Sequence, residues 1–321
     1  MNLEPSIKFK TLNISHLNEI HNLINDNYRK DPDNIIKTMF SKNFLLWYFK
    51  YVPKGLNMGL VYKNILVGVV TVIIVDIMIH TQKKKTAYIN FLCINSKLKD
   101  TELDNYLVDE IKKRLISLGI NHDLIIMEKE PETFFCKCVE FVVPINFTKL
   151  KGLGFLKEET RLTESLINPL HFLEIGDLEF VIKELNELNL DVRIIFTFEF
   201  AKHFLIPREN IVYSFVNRDH IGKITDFINV YKNYHFCREK NKLISVANLG
   251  FYFHKSLNIT QLVHYLLERL VLYDFDQLLF RNMYENETIN ITKYSTKSQF
   301  FYSTFEKIDL IKNENIFLFP F

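Results

Sequence analysis

Fifteen consecutive residues, Ile65 to Ile79, read ILVGVVTVIIVDIMI and carry a single charge, Asp76. A stretch this apolar must leave water, as a membrane span, a core helix or a buried strand. A helical span needs about 20 residues to cross the hydrocarbon layer, so this run is short for one, and Asp76 would sit inside it. Val and Ile dominate, and β-branched side chains favour extended backbone. The run therefore predicts a buried pair of core strands. Such strands need a large sheet around them, and 321 residues are enough to build one.

Composition narrows the class. Hydrophobic residues at 48% and charged residues at 24% describe an ordinary globular chain. Forty Lys and Arg against 38 Asp and Glu leave +2, too balanced for a nucleic-acid surface. The Lys83-Lys84-Lys85 cluster reads as a solvated hairpin tip. There is no GxGxxG, GxxxxGK[ST] or GxSxG, which sets aside dinucleotide, P-loop and serine-hydrolase sites. Cys93, Cys136, Cys138 and Cys237 are too few for a disulfide framework and lack zinc-site spacing, so reduced thiols and no metal are expected. The opening MNLEPSIKFK has no apolar h-region, so a cytoplasmic protein without a transmembrane segment is expected.

Periodicity gives the element order. Ile14 to Asn27 predicts a helix, with Ser15 as N-cap and Leu17, Ile20, Leu23 and Ile24 on one face. A second helical stretch runs through Phe44 to Trp47. Strand Met58–Tyr62, a Lys63-Asn64 turn and the long apolar run follow, then a charged turn over 81–86 and strand Ala87–Ile94. Thr101 to Leu118 predicts a helix with Leu103, Leu107, Ile111 and Leu115 inward, a Thr101/Asp104 capping box and Gly119 at its end. Strand Asp123–Met127 closes this set. The order returns after residue 179: strands Asn210–Val216 and Gly222–Val230, strand Leu249–Phe253, helix Ile259–Leu272 and strand Phe275–Phe280. Two strand-like runs, Gln299–Phe305 and Asn315–Phe321, end the chain. We read a duplicated α/β (α+β) unit of the GNAT acyltransferase type, with a saddle-shaped, mostly antiparallel sheet flanked by helices. Its halves are 1–143 and 180–321, joined by a connector over 144–179.

Tyr88-Ile-Asn-Phe-Leu-Cys-Ile94 resembles the E-I-N-F-L-C-V strand of the N-myristoyltransferase family. Asn27-Tyr28 with Asp31, Asp33 and Asn34, followed by Phe44-Leu-Leu-Trp47, is similar to that family's N-Y-V-x-D-D-D-N…F-L-L-W. Pro207-Arg-Glu-Asn-Ile211, Ser214-Phe-Val and Thr225-Asp-Phe227 resemble its P-x-E-N-I…T-F-V…T-D-F. The collinear matches cover nearly the whole chain. The resemblance implies transfer of myristate from myristoyl-CoA, a co-substrate and not a resident cofactor, to the N-terminal glycine of a peptide.

The same resemblance implies roles. The amides of Phe91 and Leu92 would form the oxyanion hole, and the α-carboxylate of Phe321 would be the general base. Phe91, Leu92, Cys93, Ile94, Lys97 and Lys99 would contact the acyl-CoA. Tyr28, Asp31, Asp33, Phe40 and Asn90 would line the peptide groove.

Several family positions differ. The basic K-L-R-S-K-R stretch before the phosphate-facing helix becomes Lys97-Leu-Lys-Asp-Thr-Glu-Leu-Asp104, placing Asp100, Glu102 and Asp104 in the expected first turn, where they oppose a pyrophosphate. The family's T-A-G turn falls at Ile125–Glu128 without its Thr or Gly. The His of C-R-Y-W-H-R-S is absent from Cys136–Val142. The G-x-G-D-G loop is replaced by Tyr294–Ser298. The upstream F-W segment has no counterpart in these residues. Two readings follow: an acyltransferase with a degraded CoA-phosphate site, or a catalytically inactive relative acting as a binding or structural protein with a protein partner. A monomer is expected in either case.

Overall fold

The structure, a computed structural model, describes residues 7–28, 35–157, 168–304 and 308–320. The first half contains β1 (Ile7–Thr11), α1 (Leu17–Asn27), β2 (Ile36–Met39), α2 (Lys42–Phe49), β3 (Asn57–Tyr62), β4 (Ile65–Ile79), β5 (Gln82–Ile94), α3 (Leu103–Ser117), β6 (His122–Met127) and β7 (Cys136–Pro144). Helix α4 (Phe147–Gly152) and strand β8 (His171–Phe172) follow. The second half contains α5 (Leu178–Asn186), β9 (Val192–Ile195), α6 (Phe198–Phe204), β10 (Val212–Arg218), β11 (Ile224–Cys237), β12 (Lys242–Phe253), α7 (Ile259–Val271), β13 (Gln277–Arg281), β14 (Tyr294–Ser303) and β15 (Ile316–Phe317).

One sheet runs β1-β3-β4-β5-β6-β14-β7-β13-β12-β11-β10-β8. Each half builds an antiparallel hairpin, β4–β5 or β11–β12, crosses through a helix, α3 or α7, and returns in a parallel strand, β6 or β13. The halves then exchange strands. β7 pairs with β13, while β14 inserts between β6 and β7. β2 pairs with the far end of β11, and β9 with the far end of β4. These five pairings hold the halves together through backbone hydrogen bonds as well as side-chain packing. No helix among the described residues is long and apolar enough to cross a membrane.

The run from Ile65 to Ile79 is one continuous strand, not a pair. Two covered faces explain its unbroken apolarity. On one face Leu103, Leu107, Ile111 and Leu115 of α3 join Val67, Val70 and Val72; on the other Val69, Ile73 and Val75 belong to the main core. Gly68 permits the close packing of α3, because a Cβ there would lie 2.5 Å from Ile94 Cδ1 and 2.9 Å from Leu107 Cδ1.

Four expected boundaries are corrected. The charged turn shrinks to His80-Thr81, and Lys83, Lys84 and Lys85 belong to β5, opposite Met78, Ile77 and Asp76; Lys83 pairs with Asp76 at 2.8 Å, so the cluster is partly neutralised within the sheet. The first helix is preceded by a 3-10 turn capped by Asn13, not Ser15. Thr101 is not at the N-cap position of α3: a 3-10 turn over Ser96–Thr101 ends at Glu102 in the left-handed region (φ +56°), and α3 starts at Leu103. Only Asp104 then lies in its first turn, so the helix start is less acidic than the sequence suggested. The last run is a strand only at Ile316–Phe317; beyond it the chain is a packed tail.

Candidate active site

The central feature is a bulge in β5. Val69 pairs with Cys93 and Thr71 with Asn90, so Phe91 and Leu92 together face Val70. Phe91 takes φ +51°, an uncommon conformation for a bulky residue, maintained only where surroundings fix it. The surroundings are aromatic: the Phe91 ring lies 5.5 Å from Tyr28, 5.1 Å from Phe40 and 5.0 Å from Tyr48. β5 pairs with β6 only through Ile89, so the two strands part at Asn90. Bulge and opening therefore coincide.

The second half repeats this geometry. Ile228 pairs with Tyr252 and Val230 with Leu249, so Gly250 and Phe251 face Asn229 alone. There the Asn229 side chain accepts the Phe251 N–H at 2.6 Å. Val70, in the equivalent place of the first half, has no side-chain acceptor to offer Leu92. The two bulges thus differ chemically: one is closed by an amide side chain, and the other faces a hydrocarbon.

Asn90 organises the first bulge. Its Oδ1 accepts from the Phe91 N–H at 2.9 Å and from the Tyr28 hydroxyl at 3.3 Å, while its Nδ2 donates to the Tyr48 hydroxyl at 3.4 Å. Burial pushes the Tyr48 hydroxyl well above the ordinary tyrosine range, so it stays protonated. The Phe91 amide is accordingly engaged by Asn90 in this state.

The C-terminal tail enters the same region. Leu318 and Phe319 are fully buried. The Phe319 carbonyl accepts from the Tyr88 hydroxyl at 3.3 Å and the Tyr302 hydroxyl at 3.5 Å. Its ring lies 5.0 Å from Phe204 and 5.3 Å from Phe251. Tyr302 is in turn held by the buried Arg281 guanidinium, which lies 3.9 Å from the Phe300 ring. Burial opposes that charge, yet the surrounding Tyr302, Glu140 and Tyr88 keep the guanidinium protonated.

Of the residues singled out from sequence, Tyr28, Phe40, Asn90 and Phe91 converge on one cluster. Leu92 occupies the second bulge position. Cys93 is buried with its thiol 3.7 Å from the Leu23 carbonyl, and Ile94 packs toward α3. Lys97 is exposed at the turn capped by Asn95. Asp31, Asp33 and Phe321 lie outside the described residues, as does the side chain of Lys99. Sequence reasoning missed Tyr88, Tyr302 and Arg281. Tyr88 carried a usable signal, lying two residues before Asn90 in a strand and therefore on the same face.

The chain superposes on Saccharomyces cerevisiae N-myristoyltransferase with bound myristoyl-CoA at TM-score 0.85 and 19% identity, covering 98% of this chain and 83% of that one. A GCN5-related N-acetyltransferase from Anabaena variabilis aligns at TM-score 0.54 and 8% identity, over 93% of this chain and 72% of that one. These likenesses concern the fold, and they place the protein in the class of duplicated GNAT-like architectures. Sequence goes further. A mimivirus protein provisionally named glycylpeptide N-tetradecanoyltransferase is 40% identical over 319 residues, 97% of this chain and 89% of its own. The glycylpeptide N-tetradecanoyltransferase of Plasmodium falciparum is 31% identical over 265 residues, 75% of this chain but 62% of that protein. Residues 1–128 match the N-terminal domain of Myristoyl-CoA:protein N-myristoyltransferase. The chain belongs to the N-myristoyltransferase family.

Proposed function

We propose that the protein transfers a myristoyl group from myristoyl-CoA to the N-terminal glycine of a peptide. The observation that carries this reading is the position of the β5 bulge, at the mouth of the β5–β6 opening and on the strand that anchors the buried tail. The acyl chain and pantetheine lie along that opening past Cys93 and Ile94, and Lys97 and Lys99 meet the phosphates. The peptide amine enters from the side of Tyr28, Phe40 and Asn90, and the family resemblance gives Asp31 and Asp33 the role of meeting the peptide.

The amine attacks the thioester carbonyl, and the developing oxyanion is met by main-chain amides at Phe91 and Leu92. Because Asn90 Oδ1 already accepts the Phe91 N–H while its Nδ2 is held on the Tyr48 hydroxyl, the Leu92 amide carries more of this task. The Phe321 α-carboxylate accepts the ammonium proton before attack; as the adduct collapses the C–S bond breaks, and the departing CoA thiolate takes the second proton from the new amide nitrogen. Tyr88, Tyr302 and Arg281 act as positioning residues for the tail.

A non-catalytic binding protein is the second reading. The engaged Phe91 amide favours it, together with Glu102 and Asp104 at the start of α3. Calorimetry with a non-hydrolysable myristoyl-CoA analogue at two salt concentrations, paired with a transfer assay on a glycine-initiated peptide, separates the two. Salt-sensitive binding with product formation is the expected result. Absence of binding at high protein concentration would overturn acyl transfer and leave the binding protein.

A further inference from the structure

Tyr231 and Lys232 are neighbours on β11 and point to opposite faces of the sheet. Tyr231 faces the tail, its ring 6.2 Å from that of Phe319. Lys232 points away from the candidate active site into a separate cleft of about 470 Å³, within the range of small-molecule pockets. The turn from α7 into β13, the segment leading into β10 and the edge strand β8 form its walls.

The chemistry of Lys232 is unusual for a structural lysine. The residue is 6% exposed. Its ammonium has three donors, and among the described residues the one acceptor it meets is the Tyr273 carbonyl at 3.3 Å. Aromatic faces supply the rest of its surroundings, Phe275 at 4.6 Å and Tyr213 at 5.9 Å from ring centroid to Nζ. Among the described residues, no carboxylate lies within 4.0 Å. The buried Asp276 is already bonded by Lys149, Asn146 and the Ser245 amide. Burial lowers the affinity of Lys232 for its proton, partly offset by Asp274 and Asp276. A buried cation without a counter-ion is costly, and an anion arriving at the cleft would relieve that cost.

The walls define the rest of the ligand. Tyr273 lies 5.1 Å from Tyr213 and 5.6 Å from Phe172, with ring planes tilted by 51° and 59°, giving an aromatic lining. At the rim, the exposed Glu209 and Asp274 outnumber Arg208, so a polyphosphate would meet several times the repulsion that a single carboxylate meets. We propose that this cleft binds a small aromatic monocarboxylate, its carboxylate on Lys232 and its ring against Tyr213, Tyr273 and Phe172. The proposal is independent of acyl transfer.

The test is calorimetric titration of the full chain with 2-naphthoate and with its neutral isostere 2-naphthamide, in the presence of saturating myristoyl-CoA analogue to occupy the other face. Naphthoate is expected to bind at least about tenfold more tightly than the amide. Lys232→Met is expected to abolish that preference, and Lys232→Arg to retain it. Equal affinity for acid and amide in the unmodified protein, or no naphthoate binding at millimolar concentration, overturns the proposal without reference to any variant. So does an unchanged naphthoate affinity in a folded Lys232→Met protein.

Discussion

The Tyr88 hydroxyl donates to the Phe319 carbonyl across 3.3 Å, tying β5 to a residue 231 positions away. Tyr88 lies three residues before the bulge, so this bond fixes the tail relative to the amides that would meet an oxyanion. A second bond from Tyr302, itself held by Arg281, reaches the same carbonyl at 3.5 Å.

Replacing Tyr88 with Phe removes the shorter bond and keeps the ring. A stability loss of about 1 kcal/mol is expected in urea denaturation, the ordinary worth of a buried hydrogen bond. If the tail carries the base, kcat for transfer falls while the Kd for the acyl-CoA analogue stays unchanged. An unaltered kcat in a measurably destabilised variant would make the tail purely structural.

Gly68→Ala is expected to destabilise the fold by about 1–3 kcal/mol, because overpacked cores must shift. Its Cβ would meet two mobile methyl groups, but also the Leu60 Cβ at 3.2 Å, which has less room to yield. Gly152→Ala provides the contrast: nothing lies within 4 Å of its added Cβ, and it ends a helix. That variant should be neutral or stabilised by up to about 1 kcal/mol. Thermal denaturation of both proteins checks the pair.

Asp226 is fully buried and receives the amides of Lys255, Ser256 and Leu257 at 2.9, 3.1 and 3.1 Å. Burial pushes its carboxyl up, but the bonds from Ser256, Leu257, Thr225 and Lys255 outweigh this and hold it below the usual range. Asp226→Ala strands those amides and should cost about 3 kcal/mol or more. Since the folded state depresses this carboxyl, its stabilisation is present above the unfolded value of 3.8 and fades as pH falls further. The urea midpoint of Asp226→Ala measured at pH 7 tests the magnitude.

His203 and His235 are both lowered from 6.5 to about 4, in each case first by burial; Arg208 and Lys50 add repulsion at His203. His203 stacks on Trp47 at 5.1 Å, and Gln277 Nε2 lies 3.1 Å from His235 Nδ1, where its amide donates to an unprotonated nitrogen. Both rings are held neutral. Their folded values lie below the unfolded one, so their stabilisation is complete above 6.5 and is lost as pH falls toward about 4. Urea midpoints should drop between pH 7 and pH 5 and flatten in a His203→Phe/His235→Leu double variant. A midpoint equally pH-sensitive in that variant would place the titration elsewhere.

Much of the local structure is written in the sequence. The four leucine and isoleucine positions of α3, the Val- and Ile-rich strand β4 and the Asn258–Gln261 cap of α7 are set by neighbours a few residues apart, whose geometry is fixed by backbone period. The Y-I-N-F-L-C-I strand also carried Asn90, Phe91 and Leu92, because a bulge residue and its flanks are contiguous. Strand exchange was not legible: β7 carries no mark that it will join β13 and not β6, because a pairing partner is chosen by long-range packing and not by the strand's own side chains. The same reason hid Tyr302 and Arg281, whose roles exist only once the tail lies beside them. Lys232 is the clearest case. In sequence it is one of many lysines, and only burial without a counter-ion, imposed by the turn from α7 into β13 lying against β11, makes it chemically distinct.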